Sequence, residues 1–305
     1  MNLDSQHFLD EYWQKKPCLL RQALPEFEPM LDGDDLAGLA CEDMAESRLV
    51  TGTFEAADWS LEHGPFDEET FANLPGENWT LLVQDVEKHY APLQELLQPF
   101  SFIPAWRLDD LMISYAATGG SVGPHTDQYD VFLLQAAGRR RWQIARDCDR
   151  DLLPDCPLNV LRSFTAEQEW VLEPGDMLYL PPGVAHHGVA LEPGMTWSIG
   201  ARAPSAADLL QGFGEWLAFH PDEGGRYSDA ALQPAARAGE IDQLALQGLG
   251  ELLRSKVADR QTLHHFLAAF MSRFRLANEP APPAAAMLAD EVAGALKNGA
   301  TLMRN

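Results

Sequence analysis

Basic residues, paired cysteines and long apolar runs are all scarce in this sequence of 305 residues. Its 22 lysines and arginines stand against 46 aspartates and glutamates, which gives a formal net charge of −24. We therefore expect no direct nucleic-acid binding through a broad basic surface. A basic peptide would suit this charge as a partner, although acidity that serves only solubility explains the composition equally well.

The four cysteines, Cys18, Cys41, Cys148 and Cys156, contain no CxxC pair, and a chain of this length does not need disulfide bonds for stability. We expect reduced thiols in a cytosolic protein. The stretch MNLDSQHFLDEYW has neither a basic nor an apolar region of the signal-peptide type. No apolar run is long enough to span a membrane, so no membrane association is predicted.

What the sequence does contain is a change of pattern along the chain. Residues 1 to about 100 mix short helical patterns with one predicted strand, WTLLV. After Pro204 the apolar residues recur at three and four positions, which predicts helices, the first of them capped by Ser205. A proline-rich linker is predicted at 279–286, followed by one more helix, MLADEVAGALKNG.

Between about 101 and 204, short apolar runs are separated by glycine and proline. The runs are LMISYA, YDVFLLQA, RRRWQIA, EWVL, DMLYLP, HHGVAL and MTWSIGA. Short strands with turn signals between them predict an antiparallel sandwich or barrel.

His125 and Asp127 form an HxD pair within this β-rich region. Residues two apart on an extended segment point to the same side, so the imidazole and the carboxylate face a common point. Two histidines and one carboxylate on one face of a metal ion are typical of non-haem Fe(II) oxygenases. HxD alone is weak evidence, because a surface histidine beside an aspartate is common.

His186 and His187 provide the candidates for a third ligand, about sixty residues later, after the PPG break. Adjacent residues on a strand face opposite sides, so only one of the two can bind the metal. His186 shares its face with Gly188 and Ala190, whose small side chains would leave room for a co-substrate. This favours His186 slightly and leaves His187 as the alternative.

Alternation in RRRWQIA places Arg140 on the same face as Trp142 and Ile144, which favour the core. Arg139 and Arg141 are expected to be solvated. A buried guanidinium is costly unless it meets an anion, and its two-pronged geometry matches a carboxylate. The anion could be a protein carboxylate or a small dicarboxylic acid. The candidate metal site favours the dicarboxylic acid, a 2-oxo acid that chelates the iron held by His125 and Asp127.

Several other polar residues are weaker candidates. Ser114 and Ser198 could line the co-substrate pocket. Tyr129 and Asp130 are candidates for holding a substrate guanidinium, which needs carboxylates or aromatic faces. Packing for the tyrosine and capping for the aspartate are at least as good explanations. Gly123 and the glycines before it are expected to form a turn that lets the chain reach the metal.

Five stretches, in this order, resemble the bacterial JmjC-type cupin oxygenases, and among them the ribosomal-protein arginine hydroxylases of the ribosomal oxygenase family. They are FLDEYWQKKPCLLRQ, LLVQDVEKH, ISYAATGGSVGPHTDQYDVFLLQAAGRRRW, LEPGDMLYLPPGVAHHG and SIGARAP. The resemblance runs from about residue 8 to residue 204 and continues weakly into the helices.

The resemblance implies a mainly β fold with helices. Residues 1–204 would form a catalytic domain built on a double-stranded β-helix of the cupin or jelly-roll type. Residues 205–270 would form a helical dimerisation region. Residues 271–305 would begin a winged-helix-like region, which needs more residues than follow position 270, so it is expected to be truncated or reduced.

The resemblance also implies an iron site. His125, Asp127 and His186 would hold Fe(II), because the family pattern PPGxxH falls on His186. Arg140 would anchor the distal carboxylate of 2-oxoglutarate, the co-substrate used together with O2. A second histidine at position 187 departs from the family pattern, in which one histidine is expected.

The reaction implied is hydroxylation of a side-chain carbon of an arginine in the bacterial large-subunit ribosomal protein L-sixteen, with 2-oxoglutarate converted to succinate and CO2. Such a substrate is basic, in agreement with the acid excess. The alternatives are the same chemistry on a histidine of another ribosomal protein, and a non-catalytic cupin binding module. We expect a cytoplasmic homodimer.

Overall fold

The computed structural model describes residues 3–274, apart from positions 26, 231, 235, 236 and 238. The chain divides into two compact units between Ala203 and Pro204. The linker and helix predicted after residue 278, and all of the winged-helix-like region beyond residue 274, lie outside the described residues. The predicted domain boundaries at 204 and 270 stay predictions.

The first unit contains the strands and several short helices. Its strands are β1 (Cys18–Leu20), β2 (Ser47–Thr51), β3 (Ser60–His63), β4 (Trp79–Val83), β5 (Leu108–Ala116), β6 (His125–Thr126), β7 (Asp130–Ala137), β8 (Arg140–Ala145), β9 (Gln168–Leu172), β10 (Met177–Leu180), β11 (Ala185–Ala190) and β12 (Gly194–Ala201). Its helices are α1 (Ser5–Glu11), α2 (Gly33–Ala40), α3 (Glu68–Ala72) and α4 (Val86–His89), with 3-10 helices at Ala91–Phe100 and Ala105–Arg107.

Two antiparallel sheets make up this unit. The larger follows the order β1-β10-β7-β12-β5-β4-β2-β3, and the smaller the order β6-β11-β8-β9. All seven apolar runs predicted as strands form strands, β5 and β7 to β12. The two sheets pack on each other, since Val131 and Leu133 of β7 share an apolar cluster with Trp142 and Ile144 of β8. The predicted cupin-type fold is confirmed.

Each face of the larger sheet has its own environment. Ile113 of β5 and Trp197 of β12 join an apolar core with side chains of α1, α2 and α4. Because strand residues alternate between faces, their neighbours Ser114, Thr196 and Ser198 point the other way, into the space between the sheets. The pairing register places Ser114 directly opposite Thr196, so polar side chains meet inside the barrel.

The second unit is helical in its described part. Its helices are α5 (Ala206–Phe219), α6 (Pro221–Gly224), α7 (Gln243–Ala258) and α8 (Arg260–Arg273). Ser205 caps α5 as predicted, with its side chain accepting from the Asp208 N–H. The long helical pattern that follows is divided at Asp259, whose carboxylate accepts from N–H groups of the first turn of α8. Among the described helices, none is long and apolar enough to cross a membrane.

Candidate metal and co-substrate site

His125, Asp127 and His186 come together between the two sheets. One ligand atom from each lies within 4.8 Å of the other two. Asp127 Oδ2 is 3.9 Å from His125 Nε2 and 3.5 Å from His186 Nε2. The His186 side chain is 3% exposed, whereas those of His125 and Asp127 are 24% and 22% exposed. The group therefore has a buried side and a side open to an incoming ligand.

Backbone carbonyls orient both imidazoles of this group. Strand pairing of β6 with β11 sets His125 directly opposite His186. His125 Nδ1 lies 2.9 Å from the Gly123 carbonyl oxygen, and His186 Nδ1 lies 3.0 Å from that of Val184. A carbonyl only accepts, so each Nδ1 carries the proton and each Nε2 keeps its lone pair for a metal. Burial lowers the pKa of His186, which favours the neutral form that a metal requires.

The structure brings His186, and not His187, to His125 and Asp127. His187 lies on the opposite face of β11, in edge contact with Phe54 and Phe164 at ring-centroid distances of 5.6 and 6.0 Å. Burial lowers the pKa of His187 to about 4, so this imidazole is neutral as well. His186, the residue favoured in the sequence, is thus the histidine that lies with His125 and Asp127, and its role as a metal ligand stays a prediction. A Cβ on Gly188 would lie 2.7 Å from Arg140 Nε and from the Trp142 ring, so the glycine makes room for these side chains.

Arg140 points into the barrel with Trp142, as alternation predicts, and is 4% exposed. Its Nη2 donates to the Gly188 carbonyl at 3.2 Å and its Nη1 to Thr196 Oγ1 at 3.5 Å. Its Nε has no hydrogen-bond partner among the described residues, and no carboxylate of that part of the chain forms a salt bridge with it. Burial lowers the pKa of Arg140 to about 10, so it remains a cation at neutral pH. A buried cation without a carboxylate is suited to an anionic ligand.

The two neighbouring arginines differ from Arg140. Arg139 is exposed and pairs with Glu192 at 3.1 Å, as expected for a solvated residue. Arg141 is only half-buried, although its Nε is enclosed without a hydrogen-bond partner in the described structure.

Thr196, whose hydroxyl accepts from the Arg140 guanidinium, links it to further polar groups. Ser114 is 5% exposed and donates to the Thr196 carbonyl at 3.3 Å. The Thr196 hydroxyl donates to Gln135 Oε1 at 3.1 Å. Thr196 and Gln135 were not identified as candidates from the sequence. Thr196 lies two positions before Ser198 in MTWSIGA, so the two side chains are expected on the same face of the strand. With Trp197 turned to the core, that alternation alone would have placed Thr196 inside the barrel.

Asp130 does not lie at the mouth of the barrel, and the idea that it binds a substrate is wrong. It is fully buried, and its carboxylate accepts from the Tyr179 hydroxyl at 2.6 Å, from Gln14 Nε2 at 2.9 Å and from Arg107 Nη2 at 3.1 Å. These partners satisfy the carboxylate and tie the N-terminal segment to β7 and β10. The role of Asp130 is therefore structural.

A different carboxylate, Asp110 of β5, lies close enough to Tyr129 for its charge to act on the phenol. Its Oδ2 accepts from Gln84 Nε2 at 2.9 Å, and burial raises its pKa to about 6. After burial, the charges of Asp127 and Asp110 are the next causes that raise the pKa of Tyr129. The Arg202 guanidinium covers the Tyr129 ring at 4.4 Å. No motif distinguished Asp110 in the sequence.

Comparison with known proteins gives consistent matches. Residues 95–209 match the family model described as the JmjC domain. The whole chain is 38% identical to the ribosomal protein uL16 3-hydroxylase of Escherichia coli, 81% of whose length it covers. Over 82% of its length it is 39% identical to a probable ribosomal oxygenase of Haemophilus influenzae, of which it covers 63%.

Solved structures agree with these matches. An X-ray structure of E. coli YcfD superimposes with a TM-score of 0.80 at 37% identity, covering 98% of this chain and 80% of YcfD. A structure of YcfD, described as a ribosomal oxygenase, in complex with cobalt and 2-oxoglutarate gives a TM-score of 0.77 at 37% identity and covers 98% and 79% of the two chains.

Proposed function

This chain belongs to the ribosomal oxygenase family of JmjC-domain proteins, and from that premise we propose that it hydroxylates an arginine side chain of the bacterial ribosomal protein uL16. It does so as an Fe(II)- and 2-oxoglutarate-dependent oxygenase. The observation that carries the proposal is the pairing of two sites inside one barrel. Three ligand atoms lie within 4.8 Å of one another, beside a buried arginine that forms no salt bridge with the described residues.

The donor set fits ferrous iron. His125, Asp127 and His186 supply two neutral imidazoles and one carboxylate from one side, which is the ligand set of non-haem Fe(II) oxygenases. Iron bound there supplies the activation of O2 at the expense of 2-oxoglutarate. The protein holds the two Nε2 lone pairs in place through the Gly123 and Val184 carbonyls.

The surroundings of Arg140 fit 2-oxoglutarate. Its guanidinium would pair with the distal carboxylate of the co-substrate. The hydroxyls of Ser114 and Thr196, which now donate to the Thr196 carbonyl and to Gln135, would have to rotate to donate to it. Trp142, over whose ring the guanidinium lies at 5.1 Å, holds the cation in position and keeps water from it. This arrangement selects a dicarboxylic acid over a monocarboxylic one.

A cationic substrate side chain would suit the surroundings of Asp110. Asp110, with its pKa raised to about 6, is charged at neutral pH and accepts a hydrogen bond from Gln84. The Asp110 carboxylate would attract a substrate guanidinium. That guanidinium could stack only on the face of the Tyr129 ring that Arg202 leaves free. Arginine is cationic whenever Asp110 is anionic, whereas histidine at neutral pH is largely not. This favours arginine over the alternative histidine substrate.

We also propose that the protein acts as a cytoplasmic homodimer on its basic ribosomal partner. The described helices of the second unit expose a set of large apolar side chains. They include Leu210 at 63%, Leu244 at 75%, Leu253 at 71% and Val257 at 48% exposure. An apolar surface of this kind on α5 and α7 supports burial against a second copy. Sedimentation equilibrium tests this assembly independently of activity.

Purified protein incubated with Fe(II), 2-oxoglutarate and recombinant uL16 tests the activity. We expect succinate release and one added oxygen atom on a uL16 arginine, located by tandem mass spectrometry. Asp127→Ala should abolish both signals, and Asp10→Ala, an exposed carboxylate of α1, should leave them unchanged. In a parallel reaction with total ribosomal proteins in place of uL16, an added oxygen on a histidine of another ribosomal protein would support the alternative substrate. If no succinate forms with or without uL16, and Asp127→Ala changes only stability, the binding-module interpretation replaces the enzyme.

A further inference from the structure

The loop between β8 and β9, residues 146–167, contacts the immediate surroundings of all three candidate iron ligands. The loop has internal structure of its own, because the Leu153 N–H donates to the Val160 carbonyl and the Arg162 N–H to that of Asp151, both at 2.8 Å. Its base is closed by the Glu167 N–H, which donates to the Ile144 carbonyl at 2.8 Å. Because these hydrogen bonds hold the loop in one conformation, the loop can fix the positions of the residues that it contacts.

The first contact is beside His125. Gly123, whose carbonyl orients the His125 ring, has a φ of +76°. A Cβ there would lie 2.7 Å from Val160 Cγ2 and 3.0 Å from the Trp59 ring, so both side chains pack closely against the glycine. The Leu161 N–H donates to the Pro124 carbonyl at 2.8 Å. The loop thus fixes both residues that precede His125.

The second contact is beside Asp127. The Gly183 N–H donates to the Asp127 carbonyl at 2.7 Å. Arg150 of the loop donates from Nη2 to the Gly183 carbonyl, also at 2.7 Å. The loop is therefore joined to the Asp127 backbone through a single intervening residue.

The third contact is beside His186. Its chain neighbour His187 is 5% exposed and lies in edge contact with Phe164 of the loop and with Phe54, which precedes β3. Edge contacts between rings stabilise packing beyond simple burial. His187, the histidine that departs from the family motif, is thus the residue of β11 that the loop contacts through Phe164.

Strand β6, which carries His125, needs such support. It is two residues long, lies at the edge of the smaller sheet, and pairs only with β11 in the described structure. Metal ligands must be held within about 0.5 Å of their productive geometry, which strand pairing over two residues does not ensure.

We propose that the β8–β9 loop is a brace that positions the iron ligands, with Arg150 and Phe164 as positioning residues and His187 as the residue they support on β11. The proposal rests on the metal site proposed above. Arg150 bonds to Gly183 and Phe164 contacts His187, and neither partner is a candidate ligand. The effect of these two residues would therefore be on the geometry and affinity of the metal, not on the chemistry itself.

Titration of the metal-free protein with Co(II), followed by its visible absorption, tests the brace. Arg150→Ala and Phe164→Ala are expected to weaken Co(II) binding by about tenfold, the lower end of the range for outer partners of metal ligands. Their absorption bands should broaden or shift, while the Tm of the metal-free protein stays within a few degrees. Arg162→Ala is the matched control, because Arg162 is an exposed arginine of the same loop that pairs with Asp151 at 3.7 Å. It should bind Co(II) like the wild type.

Two substitutions at His187 separate positioning from general stability. His187→Ala removes the ring that Phe54 and Phe164 contact, and it should weaken Co(II) binding as the loop variants do. His187→Phe keeps a ring there and should restore the affinity and the spectrum.

Unchanged Co(II) affinity and spectra in Arg150→Ala and His187→Ala would overturn the brace. So would a loss of affinity that simply follows the loss of Tm across the series. If the wild type itself binds no Co(II), the failure lies in the proposed metal site, which distinguishes the two proposals.

Discussion

Replacing Arg140 by methionine should stabilise the protein in the absence of ligands. Burial lowers the pKa of Arg140 to about 10, and each pKa unit corresponds to about 1.36 kcal/mol, so the charged folded form carries a cost on the order of 3 kcal/mol. A base with a lowered folded pKa destabilises the fold while it is charged, so this cost is present at every pH below about 10. Loss of the hydrogen bonds to Gly188 and Thr196 offsets part of the gain.

The net expectation is an increase of about 1–2 kcal/mol in the free energy of unfolding of metal-free Arg140→Met. Chemical denaturation at pH 7.5 without 2-oxoglutarate measures it. In the wild type, Co(II) with 2-oxoglutarate at about a hundred times its Kd should add about 2.7 kcal/mol. This corresponds to a rise in Tm of roughly 5–10 °C for a domain of this size. In the variant the increment from 2-oxoglutarate should be much smaller, since the co-substrate can still chelate the metal but its distal carboxylate has no cation to meet.

Arg139→Met is the matched control, because this neighbouring arginine is exposed and pairs only with Glu192 in the described structure. Its stability should change by less than about 0.5 kcal/mol, with the response to 2-oxoglutarate retained. The reasoning fails if metal-free Arg140→Met is less stable than the wild type by 2 kcal/mol or more. It fails equally if 2-oxoglutarate raises the Tm of wild type and variant alike.

Three further outcomes follow from single positions. Gly123→Ala should lower the free energy of unfolding by about 2 kcal/mol in urea titrations, because its φ of +76° and the 2.7 Å approach to Val160 both oppose a side chain. Asp130→Asn should cost about 2–4 kcal/mol by the same measurement, since it disturbs three donors at a fully buried carboxylate; turnover per folded molecule should persist. Lowering the pH from 7.5 to 5.5 should raise the KM of the wild type for uL16, because Asp110, with a pKa of about 6, becomes neutral. Over the same range the free energy of unfolding of the metal-free wild type should rise, since protonation relieves a buried charge. Asp110→Asn should lack both dependences.

The sequence predicted the strands well because their signals are local. Each run from β5 to β12 is bounded by glycine or proline, and the period of two within it assigns faces. That is why Arg140 could be placed inside the barrel with Trp142, and why the WTLLV segment could be assigned to a strand. Strands β2 and β3 escaped prediction, since SRLVT and SLEH contain too few apolar residues to show a period.

The site was less accessible to sequence reasoning, because its decisive facts are contacts between distant segments. Asp130 accepts from Gln14, which is 116 positions away, and this contact removes Asp130 from the substrate side. Asp110 became a candidate only once its burial and its place beside Tyr129 were visible. His186 and His187 differ by a single step in register, and only the pairing of β11 with β6 decides which of them meets His125.

Charge balance explains why the metal and the co-substrate belong to one site. Two neutral imidazoles and the Asp127 carboxylate form a singly negative ligand set. A ferrous ion makes that set singly positive, and the buried Arg140 adds a second positive charge a short distance away. Two positive charges in a low-dielectric interior repel each other strongly, so neither metal nor guanidinium is well compensated alone. 2-Oxoglutarate carries one carboxylate for each of them, whereas a monocarboxylic 2-oxo acid would leave the Arg140 charge unmatched. From the burial of Arg140 we therefore expect the site to prefer a dicarboxylate.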